Sequence, residues 1–284
     1  MLTRRTLLGV GVAGGAMLAT GCADDDPVDE PVDEPVEGEV ADVPGSETIT
    51  YGDDPSQLVQ LTRPDSNSRG VVVVVHGGFW KAAYGAELGA PLAADLAARG
   101  WTTLNVEYRR VGNGGGVPET LDDVAAAIDV LRSADVDLTR VVTLGHSAGG
   151  HLATWAAART RFDRWSGGVP VTAVISQAGV LDLEAAYDAG LGSGAVEAFV
   201  GSPPGPAYDQ VDPARQLPLD VPVWCVHGRD DDVVPLSQSA DYVSRATAAG
   251  AQAELVEVEG DHFVVIDTGS DPWSRIVTIL DGLG

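Results

Sequence analysis

The sequence predicts an α/β protein with a mainly parallel central sheet and helices on both faces. Three observations carry this reading. Strand and helix patterns alternate from residue 71 to the end of the chain. The strand patterns are short continuous apolar runs, as expected of strands buried on both faces. The chain has 284 residues, and setting aside its N-terminal part leaves roughly 240, enough for one large domain with a substantial core. No period of 20–50 residues repeats, which excludes a solenoid or propeller.

The elements follow in order. "SQLVQLTRP" (56–64) reads as part of an antiparallel edge, and "VVVVV" (71–75) as the first central strand. "YGAELGAPLAADLAARG" (84–100) is built of helix formers and stops at Gly100. "WTTLNVEY" (101–108) is a strand. The segment 118–134 opens with Pro118, carries acids in its first turn and repeats apolar residues at helical spacing. "RVVTLG" (140–145) is a strand that runs into Ser147, and 148–160 is the helix after it. Strands follow at 171–179 and 221–228, a helix at 235–250, a strand at 253–260 and a closing helix at 271–283. Residues 181–218 break the rhythm. They are rich in Gly, Pro and Asp, and a segment that long predicts a small cap over the strand ends.

The formal net charge is −25, and residues 23–47 carry eleven acids and no base. Such a stretch cannot bury enough apolar surface to order itself, so 23–46 reads as an extended, self-repelling tether ahead of a domain at 47–284. The acidity of the rest argues against nucleic acid as a partner. Residues 1–22 divide into Arg4-Arg5, an apolar glycine-rich run and Ala19-Thr20-Gly21-Cys22. The run is short for a membrane span. The paired arginines resemble a twin-arginine export signal, and "LATGC" resembles a lipoprotein cleavage site with Cys22 as the lipidated residue. That implies an exported protein, periplasmic or at the cell surface, touching the membrane only through an N-terminal lipid. The other cysteine, Cys225, lies in the apolar run "VPVWCVHG" and reads as a small core residue. The fold therefore needs no disulfide.

The chemistry gathers at "GHSAGG" (145–150). In open α/β sheets ligands bind beyond the carboxyl ends of the strands, and Ser147 sits at such an end. Gly-x-Ser-x-Gly between a strand and a helix makes a strained turn that pushes the hydroxyl into the open. The helix start aims amides and a positive dipole end at the same place. A serine needs a base. There are five histidines: His76, His146, His151, His227 and His262. In this architecture the nucleophile precedes the acid and the acid precedes the base. Only His262 lies beyond a plausible acid that itself lies beyond Ser147, and the other four read as structural. The acid would come from Asp230, Asp231 and Asp232, and spacing does not choose among them. "HGGFW" (76–80) follows the first central strand, where an oxyanion loop is expected, so the amides of Gly78, Phe79 and Ala148 are the candidate donors. There is no metal-ligand cluster, no G-x-G-x-x-G and no phosphate loop, so no cofactor or metal is expected.

"HGGFW", "VEYRR" and "GHSAGGHLA" together resemble the α/β-hydrolase fold. They are similar to its esterase branch, which includes kynurenine formamidases, hormone-sensitive-lipase-like carboxylesterases and bacterial feruloyl and acetyl-xylan esterases. The resemblance covers residues 47–284. The family pattern H-G-x-x-D-x-x-V-P falls on His227, Gly228, Asp231, Val234 and Pro235. It implies Asp231 as the acid, with Asp232 in reserve. The pattern G-x-H-F falls on Gly260, His262 and Phe263. Phe79 stands where formamidases often carry Tyr and lipase-like enzymes Gly. The implied activity is hydrolysis of a carboxylic ester, small or linked to a polysaccharide, through Ser147, His262 and Asp231. An arylformamidase with the same triad, a serine peptidase and a non-catalytic hydrolase-like binding protein are the alternatives. The motifs are silent on acyl group, alcohol and oligomeric state.

Overall fold

The computed structural model describes residues 43–283. The expected export signal, Cys22 and the expected tether up to residue 42 lie outside the described residues. Val43 is already buried in the core and accepts a hydrogen bond from the Ser46 amide at 2.9 Å, so packed structure extends at least four residues ahead of the boundary read from composition.

Eight strands form one sheet in the order β1-β2-β4-β3-β5-β6-β7-β8. They are β1 (Glu47–Thr50), β2 (Leu58–Thr62), β3 (Val71–Val75), β4 (Thr102–Val106), β5 (Val141–His146), β6 (Ala173–Gln177), β7 (Val223–Gly228) and β8 (Ala253–Val258). β2 runs antiparallel to both β1 and β4. Every pairing from β4 to β8 is parallel. The sheet is the one expected of an α/β-hydrolase. β2 belongs to the antiparallel edge, as its sequence suggests, but is not its outermost strand. β1 lies outside it, and its sequence "ETIT" is almost wholly exposed, so it carries no apolar pattern for sequence reading to find.

Helices α1 (Ala90–Ala98), α2 (Glu119–Asp129), α3 (Ala148–Ala158), α4 (Leu183–Asp188), α5 (Ala195–Val200), α6 (Ser237–Ala248) and α7 (Asp271–Gly282) complete the fold. The core has two parts. One joins Leu121, Val124 and Ile128 of α2, Leu152 and Trp155 of α3 and Tyr242 of α6. The other joins Leu92 and Leu96 of α1 with Trp273, Ile276 and Leu280 of α7. β3 explains why the central strands are apolar throughout. Val71, Val73 and Val75 face the first part, Val72 and Val74 the second, and none is more than 1% exposed. Each such side chain contributes roughly 1.5–3 kcal/mol relative to exposure. Cys225 faces the first part from β7 as a free thiol, and burial pushes it up to about 12.

Residues 181–218 contain α4, α5 and two 3-10 turns, Pro206–Gln210 and Pro213–Arg215. They are tied down rather than loose. Trp155 Nε1 donates to the Gln210 carbonyl at 2.9 Å, and the Val117 amide donates to the Phe199 carbonyl at 2.9 Å. Phe199 of α5 stacks on Trp80, which follows β3, with ring centroids 4.6 Å apart.

Candidate active site

The site is assembled at the carboxyl ends of β3, β5, β7 and β8, where an open parallel sheet exposes its loops. Ser147 joins β5 to α3 with φ 55° and ψ −119°, a conformation few L residues adopt. Its amide is held by the Gln177 carbonyl at 2.8 Å, and its own carbonyl accepts from the His151 amide at 3.2 Å. The two flanking glycines have a steric cause. A Cβ on Gly145 would lie 2.1 Å from the Gly149 carbonyl oxygen, and one on Gly149 would lie 2.1 Å from the Val75 carbonyl oxygen. The turn can be this sharp, and can sit this close to β3, only without those side chains.

The "HGGFW" loop passes directly against the serine. A Cβ on Gly77 would lie 3.1 Å from the Ser147 Cβ. The next three residues all have positive φ: Gly78 at 109°, Phe79 at 53° and Trp80 at 56°. For Phe and Trp this is costly, about 1–3 kcal/mol each, and it persists only because the surroundings hold it. Trp80 is held by its stack on Phe199 and by donating to His151 Nδ1 at 3.3 Å. His151 Nε2 in turn donates to the Val211 carbonyl at 2.8 Å. The amides of Gly78, Phe79 and Ala148 donate no hydrogen bond among the described residues.

On the other side, His262 Nδ1 donates to Asp231 Oδ2 at 2.7 Å. Asp230 and Asp232 are exposed, whereas the Asp231 side chain has no exposure. Its other oxygen accepts the amides of Val233 at 2.9 Å and Val234 at 2.8 Å. Burial alone would raise the Asp231 carboxyl. Hydrogen bonds from His227, His262 and the Val234 amide outweigh it and hold the carboxyl well below the usual carboxylate range. Of three consecutive acids, one is thus buried, ionised and in contact with His262.

The two sides meet at His146, beside the serine. Its Nε2 donates to the His262 carbonyl at 2.9 Å, and the two rings lie 4.5 Å apart. Burial, and then the nearby His262, pull His146 down to about 3, so it stays neutral. His76 is likewise neutral. Burial and then Arg110 lower it to about 3, and its ring stacks on Tyr108 at 4.3 Å.

Sequence reasoning assigned no special part to three residues that touch this machinery. His227 lies 3.0 Å from Asp231 Oδ2. Lys81 donates to the Gly192 carbonyl of the cap at 3.3 Å and lies over the Phe79 ring. A Cβ on Gly192 would lie 2.5 Å from Phe79 Cδ1, so this glycine leaves room for the ring. The H-G-x-x-D pattern contained the signal for His227. Nothing local marks the other two contacts, which join segments far apart in the chain. Among the described residues, no group of three or more His, Cys, Asp or Glu is arranged to hold a metal ion.

Solved structures share this fold. A carbohydrate esterase from gut microbiota superposes with a TM-score of 0.71 over 84% of this chain and 95% of its own, at 22% identity. Thermogutta terrifontis esterase 2, solved after phosphonylation by sarin, gives 0.71 over 85% of this chain and 95% of its own, at 21% identity. In sequence, esterase LipC of Mycobacterium tuberculosis is 28% identical over 235 residues, which is 75% of this chain and 58% of that protein. The chain spans little more than half the length of the curated relatives it matches, 52–58% of each. A family model described as BD-FAE matches residues 59–245, from β2 through the HGGFW loop, the serine turn and Asp231 into α6, and the chain belongs to that family.

Proposed function

We propose that the protein is a serine hydrolase that cleaves carboxylic esters through an acyl-enzyme, with Ser147 as nucleophile, His262 as general base and acid, and Asp231 as the group that orients His262. The observation that carries the reading is the 2.7 Å bond between His262 Nδ1 and a buried, ionised Asp231, on a loop that His146 ties to the serine turn. The esterase names of the relatives support the same class.

The chemistry follows from the geometry. Asp231 accepts from Nδ1, so Nε2 is the nitrogen left to take a proton. Ser147 Oγ attacks the ester carbonyl as its proton passes to His262 Nε2, and Asp231 stabilises the imidazolium that forms. Negative charge on the carbonyl oxygen is met by the unpartnered amides of Gly78, Phe79 and Ala148, each worth about 100–1000-fold in rate. His262 then protonates the leaving alcohol. Water repeats the sequence on the acyl-serine. Ser147 Oγ forms no hydrogen bond among the described residues, and such bonds commonly tighten only around substrate. Export with Cys22 lipidated belongs to the same proposal. Metabolic labelling with an alkyne fatty acid, lost in Cys22→Ala, tests that part.

The test of activity uses a fluorophosphonate probe and p-nitrophenyl acyl esters, with aryl formamides in parallel. Label on Ser147, ester turnover and loss of both in Ser147→Ala are expected. Turnover that survives Ser147→Ala overturns the reading, and formamides hydrolysed far faster than any ester would replace it with the formamidase reading.

A further inference from the structure

Asp231 Oδ2 accepts from two histidines. Besides His262 at 2.7 Å, His227 Nε2 lies 3.0 Å away. His227 does not belong to the acid's loop. It sits on β7, fully buried, where the sheet itself fixes its backbone. Its ring nitrogens are both engaged. Nε2 is also 2.9 Å from the Val234 carbonyl, and Nδ1 is 2.8 Å from Ser239 Oγ on α6. Two acceptors around Nε2 place the proton there, so Nδ1 accepts from the Ser239 hydroxyl. One N–H therefore faces both ends of the 231–234 turn, a carboxylate oxygen and a backbone carbonyl, from a strand that cannot move with the loop. The amides of Val233 and Val234 grip Oδ1 but belong to the same loop as Asp231. Among the described residues, His227 is the grip on this carboxylate from outside that loop and apart from His262.

We propose that His227 is a positioning residue: from β7 it fixes the plane of the Asp231 carboxylate, and through it the orientation of His262. The inference rests on the triad reading above. With two donors on each oxygen, no rotation of the carboxylate keeps all four except the half-turn that exchanges its two equivalent oxygens and leaves its plane unchanged. Without His227, Oδ2 is restrained only by the ring it is meant to orient. Misplacement of a reacting group by about 1 Å costs on the order of 100-fold.

Three variants test this by steady-state kinetics on a p-nitrophenyl ester. His227→Leu fills the space but donates nothing, and kcat is expected to fall about 100-fold with KM within about twofold. His227→Gln places an amide N–H where Nε2 was and should restore most of that loss. Ser239→Ala removes the hydroxyl that sets the His227 proton, and kcat is expected to fall about fivefold by the same route. The deciding measurement is a double-mutant cycle with Asp231→Asn. If His227 acts through Asp231, the Leu substitution costs less than about twofold once the acid is gone. An equal loss in both backgrounds, a Gln variant no better than Leu, or a loss in KM alone overturns the inference. Should His227→Leu not fold, the Ser239→Ala cycle decides in the same way. Asp231→Asn without effect on kcat removes the triad reading itself. A normal Asp231→Asn loss beside a silent His227→Leu removes only the role of His227.

Discussion

At the β3 and β5 ends of the sheet the chain is shaped by side chains that are missing; at the β7 and β8 ends it is shaped by hydrogen bonds that are made. The serine turn needs bare backbone at Gly145 and Gly149, where any Cβ would meet a backbone atom at 2.1 Å, and the loop beside it runs through three positive φ angles. The acid turn holds Asp231 through two amides and two imidazoles. Exclusion fixes the Ser147 turn and the amides beside it chiefly through the side chains they lack, with backbone bonds such as Ser147 N–H to the Gln177 carbonyl in support. Bonding fixes a charge, which must be solvated by the protein once water is gone. The two halves should therefore fail differently when altered.

The largest difference is expected on the bonded side. Asp231→Asn keeps the shape of the carboxyl group but disturbs the tautomer of His262, and a loss of about 10⁴-fold in kcat follows from that role. Asp232→Asn, one residue away and exposed, should stay within about twofold of the parent. The Asp232 variant should melt near the parent temperature and the Asp231 variant below it, because an amide N–H would face donors that the carboxylate accepts. A larger loss in the Asp232 variant would move the acid by one position and dissolve the contrast between the halves.

Acid should attack the serine side first. His76, His146 and His151 are buried and neutral, lowered to about 3, about 3 and about 4, in each case chiefly by burial. Folded values below the ordinary 6.5 mean that the unfolded chain takes up protons the folded one refuses, so stability is lost as pH falls below 6.5. Asp212 opposes this. Burial raises it to about 6, so it takes up a proton on folding between its ordinary 3.8 and 6, and gains stability there as pH falls. Three imidazoles outweigh one carboxyl, and the net loss from pH 7 to pH 5 is about 4 kcal/mol. Asp231, held low, adds its own loss only below the ordinary carboxylate range. Denaturant melts at pH 7, 6 and 5 measure the slope. A flat profile would mean that the imidazoles are not held neutral and that burial on the serine side is incomplete.

The same contrast sets how much the sequence could tell. Exclusion leaves a local mark: glycines two before and two after a serine, and a glycine pair after a valine strand, can be read without knowing what they touch. The sheet was legible for a related reason, because a strand buried on both faces must be apolar at every position, as Val71 to Val75 are. Bonding leaves no such mark. Asp230, Asp231 and Asp232 are chemically identical in the sequence; the H-G-x-x-D pattern points to Asp231 only by resemblance, and burial against His262 and His227 is what separates them physically. β1 was invisible because pairing of exposed backbone asks nothing of its side chains. The cap was recognisable as an interruption, but its anchors, Trp80 on Phe199 and His151 on Val211, join distant segments and have no spacing to betray them.

On the excluded side, Gly149→Ala should cost about 3 kcal/mol, roughly 6–12 °C in Tm, although alanine is the better helix former. The obstacle is the backbone of β3, which cannot step aside without breaking its pairing with β4 and β5. Thermal melting measures it. A variant as stable as the parent would mean that the serine turn is not pinned against β3.

Gly192→Ala makes the same chemical change in the cap and should do much less to the fold. Here the new methyl would lie 2.5 Å from Phe79 Cδ1, and an aromatic side chain can turn where a backbone carbonyl cannot. Gly192 also has φ +60°, so the alanine adds local strain of about 1 kcal/mol. The displaced ring belongs to Phe79, whose amide is one of the proposed oxyanion donors, and Lys81 links that ring to the Gly192 carbonyl. The expected outcome is therefore a fall of about tenfold in kcat with a small change in Tm, the reverse of the Gly149 variant. Phe79→Leu, added to Gly192→Ala, should recover part of the loss by giving the methyl room. If the double variant is no better than the single one, the cap turn does not act on the oxyanion loop through Phe79. The exclusion that shapes the serine side would then end at Trp80.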